Sequence, residues 1–126
     1  MKIIGHPWVE SESFAQVDAV EKIISTPTGS VLLISDISRS INLLHYCESQ
    51  GLPFALRAMD IKTALFAHAL HARYVIVKKE MAGVIQGLAQ NYLFDTQVIV
   101  EIEHEDEIEE YARMGIDGVI FPSAIK

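Results

Sequence analysis

The chain has a single cysteine, Cys47, so it cannot close an internal disulfide, and its 126 residues must be held by burial rather than by covalent staples. Long apolar runs are also missing. Val31 to Ile34 and Tyr74 to Val77 are among the longest, far below the roughly 20 residues that cross a bilayer. No Gly-rich phosphate loop, dinucleotide fingerprint or Gly-x-Ser-x-Gly elbow occurs, which removes the common nucleotide-binding and serine-hydrolase signatures. Basic residues are too few to track a nucleic-acid backbone: the net charge is −7. The segment Met1 to Pro7 lacks the sustained apolar core of a secretory signal. A cytoplasmic protein without membrane or nucleic-acid partners is therefore expected.

What is present is apolar and ordered in pattern. Half of the residues are hydrophobic, which argues against disorder. The acidity is local: of 17 acids, seven fall between Glu101 and Glu110 with no base among them, so the rest of the chain is balanced. Such a run suits the positive start of a helix and its solvated face. Cys47 lies on a helix face beside Leu43 and Leu44, where a buried structural thiol is expected.

Apolar runs end in a charge at Asp36, Arg57, Lys78 and Glu101, at intervals of 21, 21 and 23 residues. That spacing accommodates one strand and one helix. Val31 to Ile34, Phe54 to Leu56 and Tyr74 to Val77 read as strands buried on both faces, whereas Val98 to Glu103 alternates and reads as nearer an edge. Gly118 to Phe121 forms a last strand stopped by Pro122, and Lys2 to Ile4 a short first one.

Helices are predicted between them. The first spans Phe14 to Ile24, on a stripe of Phe14, Val17, Val20, Ile23 and Ile24. The second, Arg39 to Ser49, has Ser38 as N-cap and Gly51 after its end. The third follows Asp60 and runs to His71. The fourth covers Glu80 to Tyr92, and the fifth Glu105 to Met114, with Glu107 reaching back toward His104.

Alternation of this kind implies right-handed crossovers and a mostly parallel sheet of five or six strands in one α/β domain over residues 1–126. The expected architecture is an open three-layer αβα sandwich of flavodoxin-like size. The alternative is half of a (β/α)8 barrel, because Glu107 to Phe121 resembles the helix-to-strand step of such barrels; a half-barrel would pair with another copy. The run Leu32 to Asp36 resembles a receiver domain, but Gly5-His6-Pro7 and Arg57-Ala58-Met59 stand where that family needs its acidic pair and phospho-acceptor.

Parallel folds bind ligands at the carboxyl ends of their strands. Ser38, Arg39, Arg57, Lys78 and Lys79 would leave neighbouring strands at that end and could together hold a phosphate or carboxylate. The competing account pairs those cations with Asp36, Asp60, Glu80 and Glu101. Lys78 also occupies the place of a Schiff-base lysine in a barrel aldolase: burial beside Lys79 would favour its nucleophilic amine, with Glu101 moving protons. His68 and His71, and the group Glu101, Glu103, His104 and Asp106, lack diagnostic metal spacing, so no metal is assigned. His6, beside Pro7 and Trp8, is placed to line a pocket at the end of the first strand.

Gly83 and Gly87 form a smooth strip on the fourth helix, with Tyr92, Leu93 and Phe94 at its end, a surface for a homo-oligomeric interaction module. The sequence thus leads to a binding protein, taking a small anionic metabolite or a protein partner at the sheet's carboxyl edge. A Lys78 lyase is the enzymatic alternative.

Overall fold

The computed structural model describes residues 1–126. Its strands are β1 (Lys2–Ile4), β2 (Phe14–Gln16), β3 (Val31–Ile34), β4 (Phe54–Arg57), β5 (Tyr74–Val77), β6 (Gln97–Glu101) and β7 (Gly118–Ile120). Its helices are α1 (Ile41–Gln50), α2 (Ile61–Ala69), α3 (Lys79–Asn91) and α4 (Glu107–Arg113), with 3-10 turns at Val20–Ser25, Ile37–Arg39 and Pro122–Ala124. No helix is long and apolar enough to cross a membrane.

All seven strands are parallel and stand in the order β1-β7-β6-β5-β4-β3-β2, an open sheet in which β1 and β2 do not pair. From β2 to β7 each new strand is added on the same side of the one before. Right-handed crossovers that always step in one direction lay every helix on the same face. A three-layer sandwich needs a reversal of strand order, and none occurs. The expected sandwich is therefore replaced by one-sided, barrel-like winding, closer to the half-barrel alternative but with seven strands in one chain.

The two faces of the sheet have separate cores. On the outer face, Leu44, Cys47, Ala67, Ile85 and Tyr111 of the helices pack against strand residues such as Ile34, Leu56, Val77 and Val100. Cys47 is fully buried there, and burial raises its thiol above the ordinary value. The inner face carries no α-helical residue; every strand contributes to it, from Ile4 and Phe14 through Tyr74 to Ile120.

That inner face closes on itself. Tyr74 on β5 lies three strands from β1 and three from β2, which in a flat sheet is about 14 Å. Yet its ring centroid is 5.6 Å from that of Phe14, and its hydroxyl accepts a hydrogen bond of 2.8 Å from Lys2 Nζ. Only a strongly curled sheet permits both. The free edge of β2 is partly covered by the last two residues: Phe14 bridges Ile125, Lys126 N donates to the Phe14 carbonyl and Gln16 N to the Lys126 carbonyl.

Two expected elements differ. Phe14 to Ile24 is not one helix but β2, a bend and a 3-10 turn. Its apolar stripe is divided between opposite faces, Phe14 entering the inner core and Val17 the outer one, while Ile24 is 93% exposed. Pairing with β3 along Phe14↔Val31 outweighs the local helical period. The second correction concerns β6, which is no edge strand. It is paired on both sides, and Val98, Ile99 and Val100 are completely buried.

Gly118 marks the tightest part of the curl. A Cβ there would lie 2.7 Å from Ile99 Cδ1 and 2.9 Å from the Lys2 carbonyl oxygen. Gly118→Ala should destabilise the protein by about 1–3 kcal/mol, the usual cost of overpacking; denaturant unfolding with an unchanged midpoint would be inconsistent with this packing.

Candidate functional site

Strand alternation decides which side chains reach the mouth of the curled sheet at its carboxyl edge. Arg57 follows the inner-face residue Ala55 by two positions, Lys78 follows Ile76, and Glu101 follows Ile99. Arg57 and Glu101 leave strands separated by β5, and their side chains are in direct contact. Lys78 Nζ donates to the other carboxylate oxygen at 2.8 Å. One carboxylate thus faces two cations, and the trio carries a net charge of +1. Glu101 is 17% exposed and Arg57 25%, whereas Lys78 is 62% exposed. Burial lowers the Arg57 guanidinium from its ordinary value, but such a group still remains charged.

Two cavities open at this edge. One, of about 260 Å³, is lined by Lys78, Lys79, Glu101 and Glu103. The other, of about 480 Å³, lies at the ends of β2 and β3 and includes Gln16, Ser35, Asp36 and Arg39. The residues singled out from sequence are divided between them. Arg57 and Lys78 meet on Glu101, and Lys79 pairs with Glu107. Ser38 and Arg39 turn instead to Asp36: the Ser38 amide and hydroxyl both donate to Asp36 Oδ1, and Arg39 Nε lies 3.6 Å from Oδ2. Ser38 is not the cap of α1; it sits within a 3-10 turn capped by Asp36, and Ser40 precedes the helix.

The amino edge has a polar network that sequence periodicity did not reveal. Glu12 accepts from the Tyr74 hydroxyl and, at 2.6 Å, from Arg73, with Lys2 Nζ 3.6 Å away. Burial opposes ionisation of Glu12, but the bonds from Tyr74 and Arg73 outweigh it and hold the carboxyl below its usual value. A cavity of about 890 Å³ lies beside these groups. Tyr74 was legible as a strand residue, but nothing local indicated that Glu12, more than sixty residues away, would meet its hydroxyl.

The remaining candidates have mostly packing roles. His68 stacks on Phe94 at 4.3 Å, and its Nδ1 has no hydrogen-bond partner. His71 takes a left-handed φ of 63° just after α2. A Cβ on Gly83 would come within 3.3 Å of Met114, so half of the glycine strip faces the end of α4, while Gly87 is open. His6 and Trp8 line a pocket beside α4.

No family model matches the chain, and no curated protein matches it in sequence.

Glu107 links the mouth to α4. It pairs with Lys79 and accepts from the backbone amides of Glu103 and His104, each at 2.9 Å, as the helix-start pattern anticipated. The Lys79 bond first, then the two amides, lower its carboxyl from 4.5 to about 2. A carboxyl lowered on folding stabilises fully above its unfolded value and loses that effect as pH falls through the folded one. Glu107→Gln should therefore cost about 1 kcal/mol at neutral pH, after allowance for solvent screening, and progressively less as pH falls toward 2. Urea unfolding across that interval checks it: a deficit that persists unchanged in acid would contradict the assignment.

Proposed function

We propose that the protein binds a small carboxylate or phosphate at the carboxyl-edge mouth, through Arg57 and Lys78 with Lys79 beside them. The observation that supports this is the convergence of two cations on the single carboxylate of Glu101, which gives that trio a net positive charge although Glu80 and Glu103 also line the cavity beside it. An incoming anion can take one cation from Glu101 without leaving that carboxylate unpaired. The exchange is inexpensive because Lys78 is already largely in water. The small cavity at Lys78 and Glu101 suits a compact metabolite rather than a nucleotide-sized one.

The lyase alternative has less support. It needs a desolvated lysine, whereas Lys78 is mostly exposed and donates to a carboxylate.

A thermal-shift panel of small carboxylates and phosphates tests the binding proposal. The wild-type protein should gain stability with at least one compound, and Arg57→Ala should lose that gain. Glu101→Gln frees both cations and should bind the same compound about tenfold more tightly, a gain of about 1.4 kcal/mol. A ligand whose affinity is indifferent to both substitutions would place binding elsewhere.

A further inference from the structure

Trp8, the chain's one tryptophan, is 87% exposed. It lines a groove of about 400 Å³ together with the apolar residues Ile3, Val9 and Ile108. An indole left in water beside such a lining is unusual for a side chain that normally contributes much buried area. Its position is set by neighbouring bonds. The Trp8 amide donates to His6 Nδ1 at 3.1 Å, which places the imidazole proton on Nε2, and Nε2 in turn donates to Glu105 at 2.8 Å. The rings of His6 and Trp8 meet edge to face at 5.3 Å. The loop is thereby tied to the start of α4 with the indole turned outward.

The rim of the same groove is acidic, formed by Glu105, Asp106 and Glu109. Glu105 is engaged by His6 and Glu109 by Arg113, whereas Asp106 has no side-chain partner. Apolar lining, indole and rim select for one chemistry: an aliphatic stem that lies on apolar surface and ends in a cation. Arginine and lysine have that form, and a cation over an indole face is attracted to it as well as to the carboxylates.

We propose that this groove docks a basic peptide segment of a partner protein, with a lysine or arginine side chain laid against Trp8 and its charge directed to Asp106. Charge complementarity favours this occupant over a second copy meeting through the same face, which would set Glu105, Asp106 and Glu109 against their own counterparts. The site is separate from Arg57 and does not depend on anion binding at the mouth.

Trp8 supplies its own reporter. A short peptide alternating lysine and leucine should shift Trp8 emission to the blue, and an otherwise matched glutamate-leucine peptide should not. Anisotropy of the labelled basic peptide should show about fivefold weaker binding to both Trp8→Ala and Asp106→Asn. Arg57→Ala should bind as the wild type does. Binding should fall at about 1 M salt, where the Debye length is ~3 Å. Equal affinity of Trp8→Ala and wild type would overturn the proposal, because the peptide would then be held by net charge alone. So would a blue shift on zwitterionic lipid vesicles without one on the peptide, which would make the surface a membrane contact.

Discussion

Winding every crossover in the same direction leaves one face of the sheet with no helix to cover it, and the whole arrangement depends on how that face is kept from water. Ten buried residues solve the problem by packing against one another across the curl. Their sizes are matched to it: Phe14 and Tyr74 fill the width, Ala55 and Ala124 leave room, and Gly118 lets β1 and β6 close around β7. The helices then need only one apolar stripe each, which is why small residues such as Ala64, Ala67, Ala82 and Ala89 suffice at their contacts with the sheet.

Curling also separates the two ends chemically. At the amino edge, polar groups are tied into the scaffold: Thr96 Oγ1 donates to the Ala72 carbonyl, the Gln86 side chain accepts from the Asp117 amide, and the Asp117 carboxylate accepts from the Val98 amide. Glu12 bridges Arg73 and Tyr74 in the same manner. These bonds fix strand starts and leave few groups available for exchange. At the carboxyl edge exposed cations meet more buried carboxylates: Lys78 and Arg39 stay largely in water and Lys79 is half-buried, whereas Glu101 and Glu107 are mostly covered. A pair made by an exposed cation such as Lys78 contributes little and is readily exchanged, so the carboxyl edge is the end at which a ligand can compete.

Much of this was legible in sequence because the central strands are continuous apolar runs bounded by turn residues. Val31 to Ile34 and Tyr74 to Val77 could be placed to the residue, and the Asp60 cap of α2 is present, accepting from the Thr63 amide. The winding could not be read, since alternating strand and helix is common to sandwiches and barrels. The discriminating fact, that consecutive strands always add on the same side, is a property of long-range pairing. Phe14 misled for a related reason: its spacing to Val17 fits both a helical turn and two faces of a strand, and β3 decides between them. Strand-end charges could be located but not paired, because the Arg57 contact with Glu101 spans two strand intervals and depends on the strand order, a property of long-range pairing.

The acidic run from Glu101 to Glu110 shows why charge counted along a sequence is a poor guide to charge in space. Glu101 is neutralised at the mouth, Glu107 serves Lys79 and two backbone amides, Glu105 holds His6, and Glu109 pairs with Arg113 along α4. A helix-dipole explanation accounts for Glu107 and its neighbours, but it does not cover Glu103, Asp106 and Glu110, whose carboxylates have no hydrogen-bonded or ionic partner. Leaving acids unpaired beside one another raises their mutual repulsion. Folding alone would be better served by a lysine among them; Asp106 lines the groove beside Trp8 and Glu103 the cavity at Lys78 and Lys79, so the unpaired acids are spread over more than one surface.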